Sequence, residues 1–149
     1  MALDFNKFAT DGNQFIRALA KELGYPKNTD KAGRVLQSIL HAVRNQMTVE
    51  ESVQIIAQLP MFLKAVYVKN WSLKGKPTRI KHFDDFVMEV REISGEVSSS
   101  DFPKDDDVET AFSVVFMMLR KYISLGELED IKALLPKELK PLLNNSLML

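Results

Sequence analysis

Apolar residues recur along this chain every three or four positions, the spacing that lines one face of an α-helix. Phe5, Phe8, Gly12, Phe15, Leu19 and Leu23 form the first such stripe and predict a long opening helix. Gly24, Tyr25 and Pro26 end it, because proline and the residue before it resist helical continuation. A second helix is expected from Thr29 or Asp30, with Ala32, Val35, Leu36, Ile39, Leu40, Val43 and Met47 on one face. Thr48 opens a third. Its hydroxyl can cap the backbone nitrogen of Glu51 while the Glu51 carboxylate reaches back, a reciprocal box whose cap residue contributes ~0.5–2 kcal/mol. That helix runs to Gln58, and Pro60 suits the first turn of a short fourth helix through Val66.

The second half reads the same way. His82 to Ser94 predicts a fifth helix with Phe83, Phe86, Val87 and Val90 turned inward, and His82 as its starting residue. "GEVSSSDFPKDDD" has clustered Gly, Ser and Pro and no apolar period, so it is the longest expected loop. Val108, Ala111, Phe112, Val115, Phe116 and Leu119 mark a sixth helix; Ser124 and Glu127 repeat the capping box for a seventh; Pro136 starts an eighth. No segment alternates with the two-residue period of a strand. The expected fold is all-α, with about eight helices.

Two of these stretches share one skeleton. "MTVEESVQIIAQLP" (47–60) returns as "ISLGELEDIKALLP" (123–136), and a shift of 76 residues pairs 44–67 with 120–143 without a gap. Eight of those 24 pairs are identical, among them Arg44/Arg120, Glu51/Glu127, Ile55/Ile131, Leu59/Leu135 and Pro60/Pro136. Phe15 and Leu19 pair with Phe86 and Val90 if the second copy carries about five extra loop residues. The pattern predicts an internal duplication of a four-helix unit: repeat 1 over about 4–68, a connector over 69–81, and repeat 2 over about 82–144. Neither copy holds enough apolar residues for a core of its own, so the two are expected to share one within a single domain. Arg44, Thr48, Glu51, Gln58 and Pro60, with Arg120, Ser124, Glu127 and Pro136, are the residues of this structural motif.

At "VRNQMTVEESVQIIAQLPMFLKAVYVKNW", followed by "GKPTRIKHFDDFVMEV", the chain resembles the bacterial and archaeal domain of unknown function 2267 family. The family's run L-R-x-x-L-T-x-x-E-A-x-x-L-x-A-Q-L-P is met here by Arg44, Thr48, Glu51, Ala57, Gln58, Leu59 and Pro60, with Tyr67 and Trp71 beyond. "LRKYISLGELEDIKALLP" looks like the family's second, weaker repeat. Ser52, Ala65, Asn70 and Leu73 stand where the family pattern has Ala, Gly, Gly and Pro, so a different loop shape is expected around Trp71. The resemblance implies an all-helical fold and no particular activity.

Composition narrows the chemistry. At 149 residues the chain can bury roughly 68–70% of its unfolded surface, so a core is available without covalent staples. There is no cysteine, which excludes disulfides, thiol catalysis and thiolate metal sites. The formal net charge is zero, against the basic excess that nucleic-acid binding requires. No apolar run approaches the ~18 residues of a membrane span, and the N-terminus "MALDFNKFATDG" does not read as a secretory signal. A soluble, cytoplasmic protein is expected, with no membrane and no nucleic-acid partner. His41 and His82 lack further ligands at helical spacing, and Asp105, Asp106 and Asp107 read as the acidic first turn of a helix, so no metal or cofactor is expected. No G-x-S-x-G elbow or glycine-rich phosphate loop is present, and Ser98, Ser99 and Ser100 fall in the expected polar loop; no catalytic residue is assigned.

Two functional readings of different class remain, ahead of an enzyme of unrecognised type. One is a non-catalytic helical interaction module whose partner is a second copy of the chain or another protein, with the apolar tail "SLML" as a contact. The other is a small-ligand or anion binder using the connector "KNWSLKGKPTRIK", where Lys69, Lys74, Lys76, Arg79 and Lys81 surround Trp71. Trp71 is expected to pack at the junction of the halves while the basic side chains face solvent. Arg44 and Arg120 are assigned to structure, each at the end of a long helix where it meets free carbonyls and the acidic start of the next, with an Arg–Glu pair pinning the corner.

Overall fold

The inward stripe of the second helix is unusually wide, and that decides the architecture. In the computed structural model, which describes residues 3–78 and 80–142 (Leu134 by its backbone alone), helix α2 (Thr29–Arg44) is buried on most of its circumference. Around it pack α1 (Phe5–Leu23), α4 (Met61–Val68), α5 (Phe83–Ser94), the single turn α6 (Ser98–Asp101) and α7 (Asp105–Leu119). α3 (Val49–Gln58) and α8 (Leu125–Leu134) lie against each other. Among the described residues there are eight α-helices and no strand, and no helix is long and apolar enough to cross a membrane. Buried side chains from both halves, from Phe15 to Leu139, form one continuous apolar cluster.

Local chemistry sets the helix ends. Asp4 caps α1, and Gly24 closes it in the left-handed conformation (φ 95°) that a side chain would resist, its N–H returning to Ala20 and Lys21. Thr48 and Ser124 each form the full reciprocal box, with Glu51 and Glu127, at the starts of α3 and α8. Pro60 is the N-cap of α4. Gly12 serves packing: a Cβ there would stand 3.2 Å from Cβ of Phe62, so its bare backbone lets α4 approach α1. Phe62 then joins Phe15 and Tyr122 in a three-ring cluster that ties α1 and α4 to the turn after α7.

Several expected boundaries move. α2 stops at Arg44, so Met47 lies beyond it though still buried; α4 extends to Val68; α7 begins at Asp105, its first turn acidic as expected. The described part of the eighth expected helix opens as a 3-10 turn, Lys137–Leu139. The eighth α-helix is instead α6, inside the segment expected to be the longest loop. That segment holds a 3-10 turn (Gly95–Val97) and then α6, so Ser98, Ser99 and Ser100 are helical. Two adjacent residues pin it, which is why it shows no period. The buried Asp101 carboxylate accepts both Nε (2.9 Å) and Nη2 (3.0 Å) of Arg34, and Phe102 is buried beside it. The same burial, reinforced by the charge of Asp101, pushes the Tyr25 hydroxyl up to about 12.

The paired positions Leu36/Phe112, Leu40/Phe116, Ile55/Ile131 and Leu59/Leu135 are all buried, as are Phe15, Leu19, Phe86 and Val90. The tail "SLML", and the end of repeat 2 past residue 142, lie outside the described residues.

His41, buried on α2, donates from Nε2 to the carbonyl of Val66 at 2.8 Å and so fastens α4 to the central helix. Its pKa is lowered from the ordinary 6.5 chiefly by burial, with Arg44 and Lys69 adding to the effect and the Val66 bond opposing it. The unfolded chain therefore takes up this proton first. The stability due to neutral His41 is present above the unfolded value and lost as pH falls through the folded one. Urea unfolding is expected to show decreasing stability between about pH 7 and 5. The slope is expected to flatten in His41→Gln, whose amide can still donate to Val66.

Candidate functional site

The C-terminal end of α2 carries a run of polar residues on a helix with almost no free surface: His41, Arg44, then Asn45 and Gln46 in the turn that follows. Each has to find partners inside the fold, because an unpaired buried polar group costs more than a hydrogen bond returns. Arg44 donates from Nη1 to the carbonyls of Tyr67 (2.7 Å) and Lys69 (2.8 Å) at the end of α4. The expected Arg–Glu pair is thus replaced by a cation on helix-end carbonyls, a favourable site for positive charge. Burial lowers the Arg44 pKa; among the described residues no carboxylate contacts its guanidinium, and Nε has no acceptor.

The next two residues hold the connector. The carbonyl of Asn45 accepts from the backbone N–H (2.9 Å) and the hydroxyl (3.2 Å) of Thr78. Gln46, almost wholly buried, donates to Thr78 Oγ1 and accepts from the Ile80 N–H, both at 2.7 Å. Asn45 also donates to Glu89 on α5 at 2.6 Å. The connector is therefore a wall strung on α2. At its entry Asn70 adopts φ 57°, a left-handed conformation that glycine takes freely and asparagine tolerates better than most residues. Asn70 thus makes a turn of the kind that glycine makes most readily.

Arg44, the capping residue Thr48 and this wall enclose a hollow of about 500 Å³. Asn45, Asn70, Ser72 and Thr78 supply polar lining; Met47, Val49, Trp71 and Leu73 supply apolar lining; Lys76 stands at the edge. Trp71 is half-buried and meets the Tyr67 ring edge-on, with centroids 6.3 Å apart. Tyr67 is fully buried, its hydroxyl 2.8 Å from that of Ser52 and pushed up to about 12, mainly by burial. Ser52 thus supplies the partner that a buried phenol needs.

The structure brings only some of the expected site residues to this hollow. Trp71 and Lys76 line it; the side chains of Lys69, Lys74 and Lys81 are exposed, and Lys69 meets Arg44 through its carbonyl. Arg79 lies outside the described residues. Gln58 is half-buried on α3 with an Oε1 that has no partner among the described residues. Arg120, the counterpart of Arg44, is exposed beside Glu22 and Lys121 at a different surface hollow. Sequence reasoning missed Asn45, Gln46 and Thr78. The available signal was a polar run continuing straight off the most apolar helix.

Residues 12–142 match a protein-family model described as "Uncharacterized conserved protein (DUF2267)". No curated protein matches the chain.

Two outcomes follow from this geometry. Arg44→Ala is expected to lower unfolding free energy by ~1–3 kcal/mol, because it strips the Tyr67 and Lys69 carbonyls of a charged donor; equilibrium denaturation measures it. Ser52→Ala is expected to cost about 1–3 kcal/mol by leaving the Tyr67 hydroxyl buried and unpaired. Ser52→Ala combined with Tyr67→Phe is expected to be more stable than Ser52→Ala alone, and a double-mutant cycle reads that coupling.

Proposed function

The chain belongs to the DUF2267 family of uncharacterized conserved proteins, and we propose that it is a non-catalytic helical binding module whose ligand sits in the hollow at the end of α2. One observation carries the reading: a buried arginine on the floor of a hollow whose walls are held in place by hydrogen bonds to Arg44, Asn45 and Gln46. Walls fixed before binding spare the ligand the cost of ordering them. Apolar lining with a few placed polar groups is the usual make-up of a small-molecule site, and about 500 Å³ lies within its ordinary range of ~300–1,000 Å³.

The description of the fold as two copies of a four-helix unit in a single domain, working in the cytoplasm, belongs to this proposal. The equal capping boxes of α3 and α8 and the pairwise burial of matched residues support the duplication. Absence of cysteine accords with a reducing compartment. Self-association is the second reading, favoured by the large apolar side chains that Val49 and Val53 on α3, Met61 on α4 and Leu73 on the connector leave exposed.

Trp71, the chain's single tryptophan, lines the hollow and reports its occupancy. A thermal-shift screen of neutral, cationic and anionic metabolites is expected to yield compounds that raise Tm by roughly 5 °C at saturating concentration and change Trp71 emission. Stabilising compounds that leave Trp71 emission unchanged would place the ligand elsewhere. A mass that rises with concentration by light scattering, falls back in Val53→Glu and accompanies a screen without hits would favour self-association instead.

A further inference from the structure

We propose that this hollow takes a small oxyanion, a carboxylate or phosphate group on a compact and partly apolar body, with Arg44 as the cation at its floor. The inference rests on the reading of the hollow as a ligand site and adds the ligand's chemistry.

A buried cation needs compensation, which proteins supply with a carboxylate, a metal-bound anion or a bound ligand. Arg44 is only 8% exposed, yet its described hydrogen bonds go to two neutral carbonyls. The end of a helix contributes about half a negative charge, so a positive residue remains. Both Nη1 donors are spent on those carbonyls and Nε–H is itself buried without an acceptor among the described residues, so Nη2 is the side of the five-donor guanidinium left to a ligand. The Arg34 guanidinium in the same chain shows the contrast, since it is held by both oxygens of Asp101.

The surroundings select for sign. No aspartate or glutamate lines the hollow among the described residues, whereas Lys76 does, and the exposed Lys69 and Lys74 lie on the same connector. The start of α3, a helix of ten residues, borders the hollow through Thr48 and Val49, but Glu50 and Glu51 of its first turn and the Thr48–Glu51 cap already answer that helix end, so the positive charge of the site rests on Arg44 and Lys76. Thr48, Asn70 and Ser72 bring hydroxyl and amide groups suited to oxyanion oxygens. Trp71, Met47, Val49 and Leu73 give the body of the ligand an apolar wall. Chloride offers no such body, and a cation meets Arg44.

The site has an internal reporter besides Trp71. His41 lies one turn before Arg44 on α2, and its cationic form is disfavoured partly by the charges of Arg44 and Lys69. An anion beside Arg44 relieves that repulsion, so His41 titrates at higher pH when the site is filled.

The test uses the full chain at low ionic strength, where attraction between charges is least screened. Inorganic phosphate, benzoate and its neutral isostere benzamide are titrated separately, with chloride at matched ionic strength as the reference. Trp71 emission, Tm and the His41 titration followed by NMR are recorded. Saturable changes with phosphate, benzoate or both, beyond chloride and benzamide, are expected, with the His41 midpoint moving upward; the anion that responds identifies the head group. Lys76→Glu, an exposed change that leaves the Arg44 contacts intact, is expected to weaken the response about tenfold or more. Arg44→Lys is expected to abolish it where the variant folds. Benzamide binding as well as benzoate, with the same Trp71 change, would overturn the oxyanion inference and leave the ligand site standing. An anion response undiminished in Lys76→Glu, or one without movement of His41, would overturn the placement at Arg44. Silence of Trp71 toward every probe would overturn the inference, and with hits from the wider metabolite screen it would do so without touching the site itself.

Discussion

A helix enclosed on almost every side can carry charged and polar side chains only if its neighbours offer them acceptors, and α2 obtains these from the end of α4. His41 and Arg44, one turn apart, take the carbonyls of Val66, Tyr67 and Lys69. Those carbonyls belong to the last turn of α4 and the residue after it, where helical N–H partners run out and Val66 already holds a long 3.4 Å bond from the Lys69 N–H. Both sides of the contact thus meet an obligation: α2 loses buried unpaired donors and α4 loses unpaired acceptors. The position and direction of α4 follow from this pairing together with the close approach at Gly12 and Phe62.

The candidate site is a consequence of the same contact. Because the Lys69 carbonyl is drawn to Arg44, the chain turns back at Asn70 and Trp71, and Asn45 and Gln46 collect it again at Thr78 and Ile80. The loop between these two attachments stands away from the helix ends and leaves the hollow. Lys74 and Lys76 on that loop are exposed, so the positive field comes from two depths: lysines in water and one guanidinium, held by two carbonyls, with little solvent around it. The fixed charge acts in the lower dielectric and is the stronger of the two.

The two halves use common parts for different ends. α3 and α8 begin with the same reciprocal cap and bury the same matched positions. Arg44 is nevertheless interior and Arg120 exposed. α5 receives at its start the Glu138 carboxylate, which accepts from the Phe83 N–H. Phe62, the position matched to Glu138 in the 76-residue register, instead packs against Phe15 of α1 as an aromatic ring. Matched sequence positions therefore keep their local caps but not their long-range polar contacts, because those depend on different neighbours.

What the sequence by itself determined is what short-range physics controls. The stripes of α1, α2, α5 and α7, the boxes Thr48–Glu51 and Ser124–Glu127, and the turn at Pro60 all depend on residues three or four apart, and all are legible without a structure. The polar contacts that make the site join residues 23 to 34 positions apart: Arg44 to Tyr67, Gln46 to Thr78 and Ile80. Arg34 and Asp101 are 67 apart, which is why α6 read as loop. Nothing in the local pattern says which carbonyl a buried guanidinium will meet. That choice is made when helices dock and each buried donor takes the acceptor brought within about 3 Å of it. The long helices were therefore written in the sequence, and α6, the burial of Arg44, the fixing of the connector and the hollow were decided by tertiary packing.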